Sequence, residues 1–447
     1  MKSLLAFAVL TATPVMAQTA PPAPQPQPTR TAPVASPELQ QRVREVVTLL
    51  GGSGDYDATF STGFRTALLK ATFDGMTAQI VAQLGKPTGV ESITADGPWA
   101  ARLKIGFEHG ILDAQIAIDS SAPHPVTMLR ATGSEPRAAA ETTIDAIVAT
   151  LATLPGRTNF TLARLGAGAP VRIAGRESAT PLAIGSAFKL VILSELVRSI
   201  AAGERKWTDT VTLNGRPLPS GFYTQAAKGT AVPIRDLAER MISVSDNSAT
   251  DILLFHLGRQ KVEAMLPVVG MTDGARRNVP FLGTLEMFKL KGIDQGALGT
   301  RFLATPPGAR RAFLDGPVAA APIAAIPATL FQDGKPIHIA DIEWFASADD
   351  LVRTMDWLRR AGDGPGGTEL RAILSKNPGL PAPAAKWDYA GYKGGSEPGV
   401  LNMTFVLRAK DSQWYALSAG WNDPDRSVDT LRFTGLMTRT LELAAPR

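Results

Sequence analysis

Hydrophobic positions follow two periods in turn along the first third of the chain. Apolar residues first recur at helical spacing and then alternate with polar residues, as in strands with one wet face. These patterns predict helices over 38–50 and 72–84 and strands over 101–108, 112–119 and 126–132. Ser36 is a candidate N-cap, with Pro37 at the first helical position. Helices followed by an antiparallel sheet predict a small α+β domain, which we place at residues 38–134.

The rest of the chain, residues 135–447, predicts one larger domain with a helical middle. Predicted strands lie at both of its ends, over 159–165, 169–175, 387–393, 401–408 and 414–420. Predicted helices cover 138–151, a stretch that begins at 184, 232–245 and 427–444. Residues 304–340 are rich in alanine, proline and glycine and predict a long loop. An antiparallel sheet built from both ends of one domain makes the whole chain an α+β protein.

The chain begins with a segment typical of exported proteins. Lys2 precedes an apolar run and Ala17 ends a small-residue cleavage site, so we predict a signal peptide over 1–17. The proline density of residues 18–37 predicts an extended linker without a core. The predicted location is therefore periplasmic or secreted. No later run is long and apolar enough to cross a bilayer, so no stable membrane insertion is predicted.

Composition narrows the possible chemistry. The chain has no cysteine, which excludes disulfides and thiol catalysis, and 45% hydrophobic residues in 447 are enough for sizeable cores. A net charge of +5 without a block of lysine or arginine gives no reason to expect nucleic-acid binding. The four histidines lack the spacing of metal ligands, so neither a metal nor a cofactor is predicted. The expected partner is a small-molecule substrate, and the oligomeric state stays open.

The stretch IGSAFKLVIL, residues 184–193, places a hydroxyl and an amine in an apolar run. Ser186 and Lys189 are three positions apart on a predicted helix, so they share one side of it. A serine needs a base to act as a nucleophile, and burial lowers the pKa of a lysine so that its neutral amine can take the proton. Because this motif alone is common, the alternative is an ordinary helix with a solvated lysine.

Two further motifs follow the first. The sequence SDN at 245–247 stands at the start of an apolar helix, where the alternative to a catalytic role is an N-cap. The sequence KGG at 393–395 ends a predicted strand. It is either a simple glycine turn or an exposed strand edge that a substrate backbone can approach closely. Each motif is weak alone, and their order along the chain is what makes the set informative.

Together the three motifs resemble those of the penicillin-recognising serine hydrolases, and class A β-lactamases most closely. The stretches that carry the resemblance are PLAIGSAFKL, LPSGFYTQAAKGTAVPIRDLAERMISVSDNSATDILL and YKGGSEPGV, and it extends over about residues 136–447. The extra upstream domain is similar to that of the two-domain β-lactamase-like hydrolases of the clavulanic acid gene cluster, whose relatives include a cephalosporin esterase. This resemblance implies a cone-shaped N-terminal domain, like those of steroid isomerases and cystatins, before a β-lactamase/transpeptidase-like domain at 135–447.

The resemblance also implies a role for each motif residue. Ser186 attacks a carbonyl and becomes acylated, Lys189 accepts its proton, and Ser245 passes a proton to the leaving group. Asn247 orients Lys189 and hydrogen-bonds the substrate amide, while Lys393 attracts the substrate carboxylate. Further substrate-binding positions are Gly394, Gly395 and Ser396. The backbone N–H groups of Ser186 and Ser396 would form the oxyanion hole.

Two departures from the family pattern affect the expected activity. Members that deacylate rapidly carry a glutamate between the second and third motifs, with an asparagine four residues later. The nearest candidate is Glu286, with Leu290 in the asparagine position, and we expect it to be a surface helix residue rather than a base. Gly394 replaces a threonine whose hydroxyl would contact the substrate carboxylate. Both departures point away from an efficient penicillinase.

Three functions remain open from the sequence. The first is a serine hydrolase that turns over β-lactams or related esters and amides, including a mainly esterase activity. The second is a D-alanyl-D-alanine peptidase that acts on cell-wall peptides. The third is a β-lactam-binding protein in which Ser186 is acylated without efficient turnover.

Overall fold

The structure is a computed structural model that describes residues 33–444. The predicted signal peptide and most of the predicted linker lie outside the described residues. Helix α1 begins at Pro37, where the Ser36 hydroxyl accepts a hydrogen bond from the Leu39 amide at 3.1 Å. The predicted N-cap is therefore confirmed, and the predicted linker extends one residue too far.

The first part of the described chain has helices followed by a sheet. Its elements are α1 (Pro37–Leu50), α2 (Tyr56–Thr59), α3 (Thr62–Ala67), α4 (Lys70–Leu84), β1 (Pro87–Gly97), β2 (Ala100–Phe107), β3 (Gly110–Ile118) and β4 (Val126–Pro136). The four strands pair antiparallel in chain order. Because β4 still pairs with β3 at Pro136, the predicted domain end at 134 falls inside a strand. The sequence missed β1, in which no residue is fully buried and the partly buried and exposed positions alternate regularly only over the second half.

One face of this sheet encloses the first hydrophobic core. Leu103, Ile105 and Phe107 of β2 are at most 2% exposed, as the alternating pattern predicts. They pack in one cluster with Leu39 and Val43 of α1. The α+β arrangement of this region is thus confirmed, whereas the cone-shaped fold type stays a prediction.

The remaining strands bring the two ends of the second region together. They are β5 (Arg157–Leu165), β6 (Val171–Arg176), β7 (Leu182–Ala183), β8 (Thr210–Thr212), β9 (Ala231–Pro233), β10 (Phe345–Ala346), β11 (Trp387–Glu397), β12 (Val400–Ala409) and β13 (Trp414–Asn422). Five of them form an antiparallel sheet in the order β11-β12-β13-β5-β6. The pairing of β13 with β5 is the predicted junction between late and early strands, and β11 is an edge strand.

Helices fill most of the interval between these strands. They are α5 (Ile144–Thr153), α6 (Lys189–Ala201), α7 (Ile234–Ser243), α8 (Asn247–Leu257), α9 (Arg259–Val268), α10 (Thr284–Gly292), α11 (Ala297–Ala304), α12 (Arg310–Phe313), α13 (Ala348–Ala361), α14 (Gly367–Ser375) and α15 (Thr430–Ala444). α5 begins later than predicted because the Thr143 hydroxyl caps it, accepting the Ala146 amide at 3.1 Å. α15 begins three residues later than predicted. The prediction of a long loop over 304–340 is wrong in part, because residues 307–318 form one continuous helical run of a 3₁₀ turn, α12 and a π turn. Beyond residue 325 the described residues of this segment form no further helix or strand.

The five-stranded sheet has a hydrophobic core on each face. Ile147 of α5 and Phe433 of α15 belong to one core, and α6 is central to the other. Leu190, Leu193 and Val197 of α6 are at most 2% exposed, as their helical spacing predicts. This burial fixes α6 and the 3₁₀ turn before it, which together carry the first motif, against the sheet. Within residues 33–444, no helix has the length and apolar character needed to span a membrane.

Candidate active site

The first motif lies at a junction between two kinds of helix. Ser186 stands in a 3₁₀ turn, Gly185–Phe188, and Lys189 is the first residue of α6. The turn differs from the continuous helix that the sequence predicts. Lys189 is completely buried and Ser186 is half-buried, so the alternative of a solvated lysine is wrong.

The amine of Lys189 is held by the second motif. Its Nζ donates to the Ser245 carbonyl at 2.6 Å, and it lies 3.0 Å from Ser245 Oγ and 2.9 Å from Asn247 Oδ1. Burial, and then the nearby charge of Lys393, lower the pKa of Lys189 well below its usual value, while Asp251 and Asp246 oppose that shift. A buried amine with a lowered pKa can act as a base near neutral pH.

The second motif is both an N-cap and part of the site. Asp246 caps α8 by accepting the Ala249 amide at 2.8 Å, which is the structural alternative foreseen for this motif. Ser245, just before the cap, has a φ of 58°, which is unusual for a residue other than glycine. The cap therefore holds Ser245 in a strained conformation that turns its hydroxyl and carbonyl towards Lys189.

The third motif adds a second lysine to the same hydroxyl. Lys393 lies on β11 and is 3% exposed. Its Nζ donates to Ser245 Oγ at 3.1 Å and to the Gly394 carbonyl at 2.6 Å. Burial lowers the pKa of Lys393 to about 7. The Ser245 hydroxyl thus lies between two buried amines.

The hydroxyl of Ser186 is not part of this hydrogen-bond network. Among the described residues it makes no hydrogen bond within 3.5 Å, whereas Lys189, Ser245, Asn247 and Lys393 are linked as above. The structure therefore brings four of the five predicted groups into direct contact. Because Lys189 already contacts three acceptors, it must exchange one of them before it can take the Ser186 proton.

Two glycines let the nucleophile turn meet the strand edge. A Cβ at Gly395 would lie 2.1 Å from the Ile184 carbonyl oxygen and 2.3 Å from the Ser186 nitrogen. A Cβ at Gly185 would lie 2.9 Å from the Ser396 nitrogen. No side chain fits at these distances. The glycines thus bring the backbone N–H groups predicted for the oxyanion hole to the same contact.

The structure gives a local reason, not visible in the sequence, why residue 394 is glycine and not threonine. A Cβ at this position would lie 2.0 Å from the Tyr392 hydroxyl and 2.9 Å from the Asn402 carbonyl oxygen. The Tyr392 ring also covers Gly379, where a Cβ would lie 2.4 Å from a ring carbon. Burial raises the pKa of Tyr392 to about 12. The aromatic side chain therefore occupies the space that a threonine at 394 would need.

We expect Gly394→Thr to lower the free energy of unfolding by about 1–3 kcal/mol, because the new side chain overlaps the Tyr392 ring. Urea unfolding measures the change. Gly97→Thr is the matched control, since a Cβ at that strand glycine would have no atom within 4 Å. Combining Gly394→Thr with Tyr392→Ala should recover part of the loss relative to Tyr392→Ala alone. An unchanged stability of Gly394→Thr would contradict this explanation.

The expectation that Glu286 is a surface residue is wrong. Glu286 is 7% exposed and lies in the first turn of α10. Its carboxylate accepts the Gly283 amide at 2.7 Å and two hydrogen bonds from Arg259, at 2.6 and 2.9 Å. These contacts occupy both oxygens, so the group is a buried helix cap and ion-pair partner. Its burial arises from a contact with another helix, which local sequence does not show.

The sequence also missed a buried charge cluster next to the nucleophile turn. Lys291 donates to Glu343 at 2.7 Å and also to Glu397, the residue after Ser396. Glu343 precedes Trp344, whose carbonyl accepts the Ile184 amide at 3.0 Å. The cluster therefore joins the two segments that carry the oxyanion N–H groups. No sequence signal links these positions, because they come from three distant parts of the chain.

The described residues hold no group of three or more histidine, aspartate or glutamate side chains placed to bind a metal ion.

Comparisons with known proteins find similarity to one described family and to several solved structures. Residues 139–315 match the family described as "Beta-lactamase enzyme family". No curated protein matches the chain. Similar solved structures include a β-lactamase from Sphaerobacter thermophilus, 19% identical over 68% of this chain and 99% of that chain, with a TM-score of 0.46. A β-lactamase from Xanthomonas campestris is 16% identical over 67% and 97%, with a TM-score of 0.45. PBP-A is 15% identical over 67% and 95%, with a TM-score of 0.43. The family match includes the first two motifs and ends before Lys393.

Proposed function

We propose that this protein is an exported serine hydrolase that forms an acyl-enzyme at Ser186, with Lys189 as the base. The observation that carries this proposal is the Ser245 hydroxyl, which lies between the buried amines of Lys189 and Lys393 at 3.0 and 3.1 Å. Burying two amines costs free energy that packing alone does not explain. The predicted signal peptide supports the proposed periplasmic or secreted location.

Acylation follows from the contacts around Lys189. A neutral amine has two N–H donors for the Ser245 carbonyl and Asn247 Oδ1, and a lone pair that can accept a proton. As Ser186 Oγ forms a bond to the substrate carbonyl carbon, its proton moves to Lys189 and the carbonyl π electrons move to oxygen. The N–H groups of Ser186 and Ser396 would stabilise this oxyanion, each by about 3 kcal/mol.

The Ser245 hydroxyl protonates the leaving group. When the tetrahedral intermediate collapses, Ser245 gives its proton to the departing nitrogen or oxygen and regains one from Lys189, 3.0 Å away. Water then cleaves the acyl-enzyme, which releases the acid and restores Ser186. A substrate carboxylate near Lys393 would favour the charged form of that amine.

The substrate class we propose is β-lactams or related esters and amides, with esters of the cephalosporin type favoured. Gly394 supports this choice, because the side-chain hydroxyl that would contact a penicillin carboxylate is absent there. The resemblance to two-domain hydrolases with an esterase relative points the same way. We also propose that the N-terminal region has their cone-shaped fold.

Intact-protein mass after exposure to a cephalosporin, together with nitrocefin and p-nitrophenyl acetate hydrolysis, tests the proposal. We expect wild type to gain an adduct and to hydrolyse one or both substrates, and Ser186→Ala to do neither. Ser194→Ala is the matched control, since that buried hydroxyl on α6 donates to the Leu190 carbonyl of its own helix at 2.8 Å. Equal rates for wild type and Ser186→Ala would reject the proposed function.

One observation favours a second candidate, an acylated protein with slow turnover. Glu286, the nearest residue to a deacylation base in the sequence, is occupied by Arg259 and the Gly283 amide. An adduct that persists for hours would support this candidate, and rapid loss would exclude it. Release of D-alanine from a cell-wall peptide would instead identify a peptidase.

A further inference from the structure

A cavity of about 330 Å³ lies beside the proposed site, along α8. Asn247, Asp251 and Phe255 are spaced four residues apart on this helix and so share one face of it. Asn247 contacts the Lys189 amine, and Asp251 and Phe255 line the cavity. The cavity therefore begins one helical turn, about 5–6 Å, from a residue of the site. Its volume is at the small end of the range for ligand sites.

The opposite wall of the cavity is a loop that is fixed at both ends. It follows β8, and Asn214 Oδ1 accepts the Arg216 amide at 2.9 Å, which forms an Asx turn. Further along, Ser220 Oγ lies 3.4 Å from Asn247 Nδ2. The same asparagine therefore contacts Lys189 on one side and this wall on the other.

One cation in the cavity lining, Arg216, has only a long ion-pair contact. The guanidinium of Arg216 stacks 3.4 Å from the centre of the Phe255 ring. The nearest carboxylate oxygen, on Glu286, is 3.8 Å away and is already bonded to Arg259. Among the described residues, the Arg216 side chain makes no hydrogen bond, and it is 44% exposed. Its N–H donors are therefore available to a ligand.

The remaining lining is mixed, with apolar side chains beside the polar side chains of Thr212, Asn214 and His256. Leu213, Leu218 and Ile252 contribute to the walls, and Asp251 is the one acidic residue among those that line the cavity. The Asp251 oxygens accept the Thr284 and Leu285 amides at 2.7 and 3.0 Å, so they face α10. Burial raises the pKa of Asp251 only to about 6, so this carboxylate stays largely ionised at pH 7, with its charge turned towards the two α10 amides. An anionic group at Arg216 would thus meet two carboxylates that are already engaged, Asp251 by these amides and Glu286 by Arg259.

We propose that this cavity binds the part of the acyl donor remote from the reacting carbonyl, and that it prefers an aliphatic or aryl arm ending in a carboxylate. The apolar walls would hold the arm, and Arg216 would pair with its carboxylate. This inference rests on the proposed function, because it assigns the specificity of the same site. It names Arg216 as a specificity-determining residue with no part in the bond-making steps.

A matched pair of esters tests the preference. The p-nitrophenyl ester of hexanoic acid and the mono-p-nitrophenyl ester of adipic acid have arms of equal length and differ by a terminal carboxylate. We expect Arg216→Gln to lower the ratio of kcat/KM for the adipate ester to that for the hexanoate ester by about ten-fold, mainly through KM. The control is Arg235→Gln on α7, whose arginine is 43% exposed and pairs with Glu239, and which should leave the ratio unchanged.

A second variant tests the cavity itself. Ala226 lines it, so Ala226→Phe should lower kcat/KM for both six-carbon esters relative to the acetate ester. A ratio that does not respond to Arg216→Gln, with Ser186-dependent hydrolysis intact, would overturn the carboxylate preference alone. If Ala226→Phe leaves kcat/KM for the six-carbon esters unchanged relative to the acetate ester, the cavity is not where the arm binds. Hydrolysis that survives Ser186→Ala would reject the proposed function and this inference together.

Discussion

Replacing Lys189 with methionine slows acylation of Ser186 by roughly 10²–10⁴-fold, because the change removes the amine that is placed to accept the serine proton. Methionine has a similar length and no charge, so it should keep the packing of a completely buried side chain. The Ser245 carbonyl and Asn247 side chain each lose a donor, and we expect the free energy of unfolding to fall by no more than about 1–3 kcal/mol. Stopped-flow acylation by nitrocefin and urea unfolding measure the two effects.

The pH dependence separates a base from a structural lysine. A base must be neutral, so the acylation rate of wild type should rise with pH through the lowered pKa of Lys189 and level off above it. In Lys189→Met this acid limb should vanish. Lys289→Met is the matched control, since that buried amine donates to the Val318 and Ala319 carbonyls, away from the site. A Lys189 variant that acylates at the rate of the control would disprove the assigned role.

The parts of the site that the sequence could predict are those encoded by short-range spacing. Ser186 and Lys189 are three positions apart, and the apolar period of α6 predicted one buried face. The structure buries 11 of the 13 residues of this helix, so the period found core residues but not the full extent of burial. The second and third motifs could be placed at a helix start and a strand end for the same reason. What brings them to one hydroxyl is the pairing of β5 with β13 and the edge position of β11. The sequence predicted a sheet built from both ends of the domain, but it left the strand edge as one of two alternatives and did not specify which strands pair.

The parts that could not be predicted depend on contacts between distant segments. The burial of Glu286 comes from Arg259 on the preceding helix, and the burial of Lys291 from residues in two later segments. Gly394 reads in sequence as a missing threonine, yet Tyr392, two residues before it, fills the space. β1 escaped detection because neither of its faces is well buried. In each case local composition was a poor guide to the environment that the fold supplies.

The second motif serves both the stability of α8 and the proposed chemistry. The Asp246 carboxylate accepts a hydrogen bond from a free amide in the first turn of α8. The N-cap and the proposed catalytic role of Ser245 are therefore not alternatives. A stable cap is what allows Ser245 to keep a φ of 58°. The three-residue motif therefore combines one residue that stabilises the helix with two whose side chains contact Lys189.

Replacing Lys291 with methionine should lower the free energy of unfolding by about 3–5 kcal/mol, because it leaves two buried carboxyl groups without their cation. Lys291 is completely buried, Glu343 is 2% exposed, and Glu397 lies next to Ser396 at the proposed oxyanion hole. Burial alone would lower the pKa of Lys291, but its two carboxylate partners outweigh that effect, so the pKa is raised. Lys289→Met on the same helix is again the control, and we expect a smaller loss there because no carboxylate is left unpaired.

The pH dependence of the Lys291→Met defect tests its electrostatic origin. Burial, and then the neighbouring Glu343, raise the pKa of Glu397 well above its usual range, and removing the Lys291 ammonium raises it further. A carboxyl group with a raised pKa in the folded state binds more protons folded than unfolded, so stability is lost as pH rises above the unfolded value of about 4.3. The defect should therefore be smaller at pH 5 than at pH 8. Adding Glu343→Gln and Glu397→Gln should restore most of the stability, because no buried charge remains. A defect that is equal at both pH values and is not rescued by these changes would mean that lost packing, and not charge, is the cause.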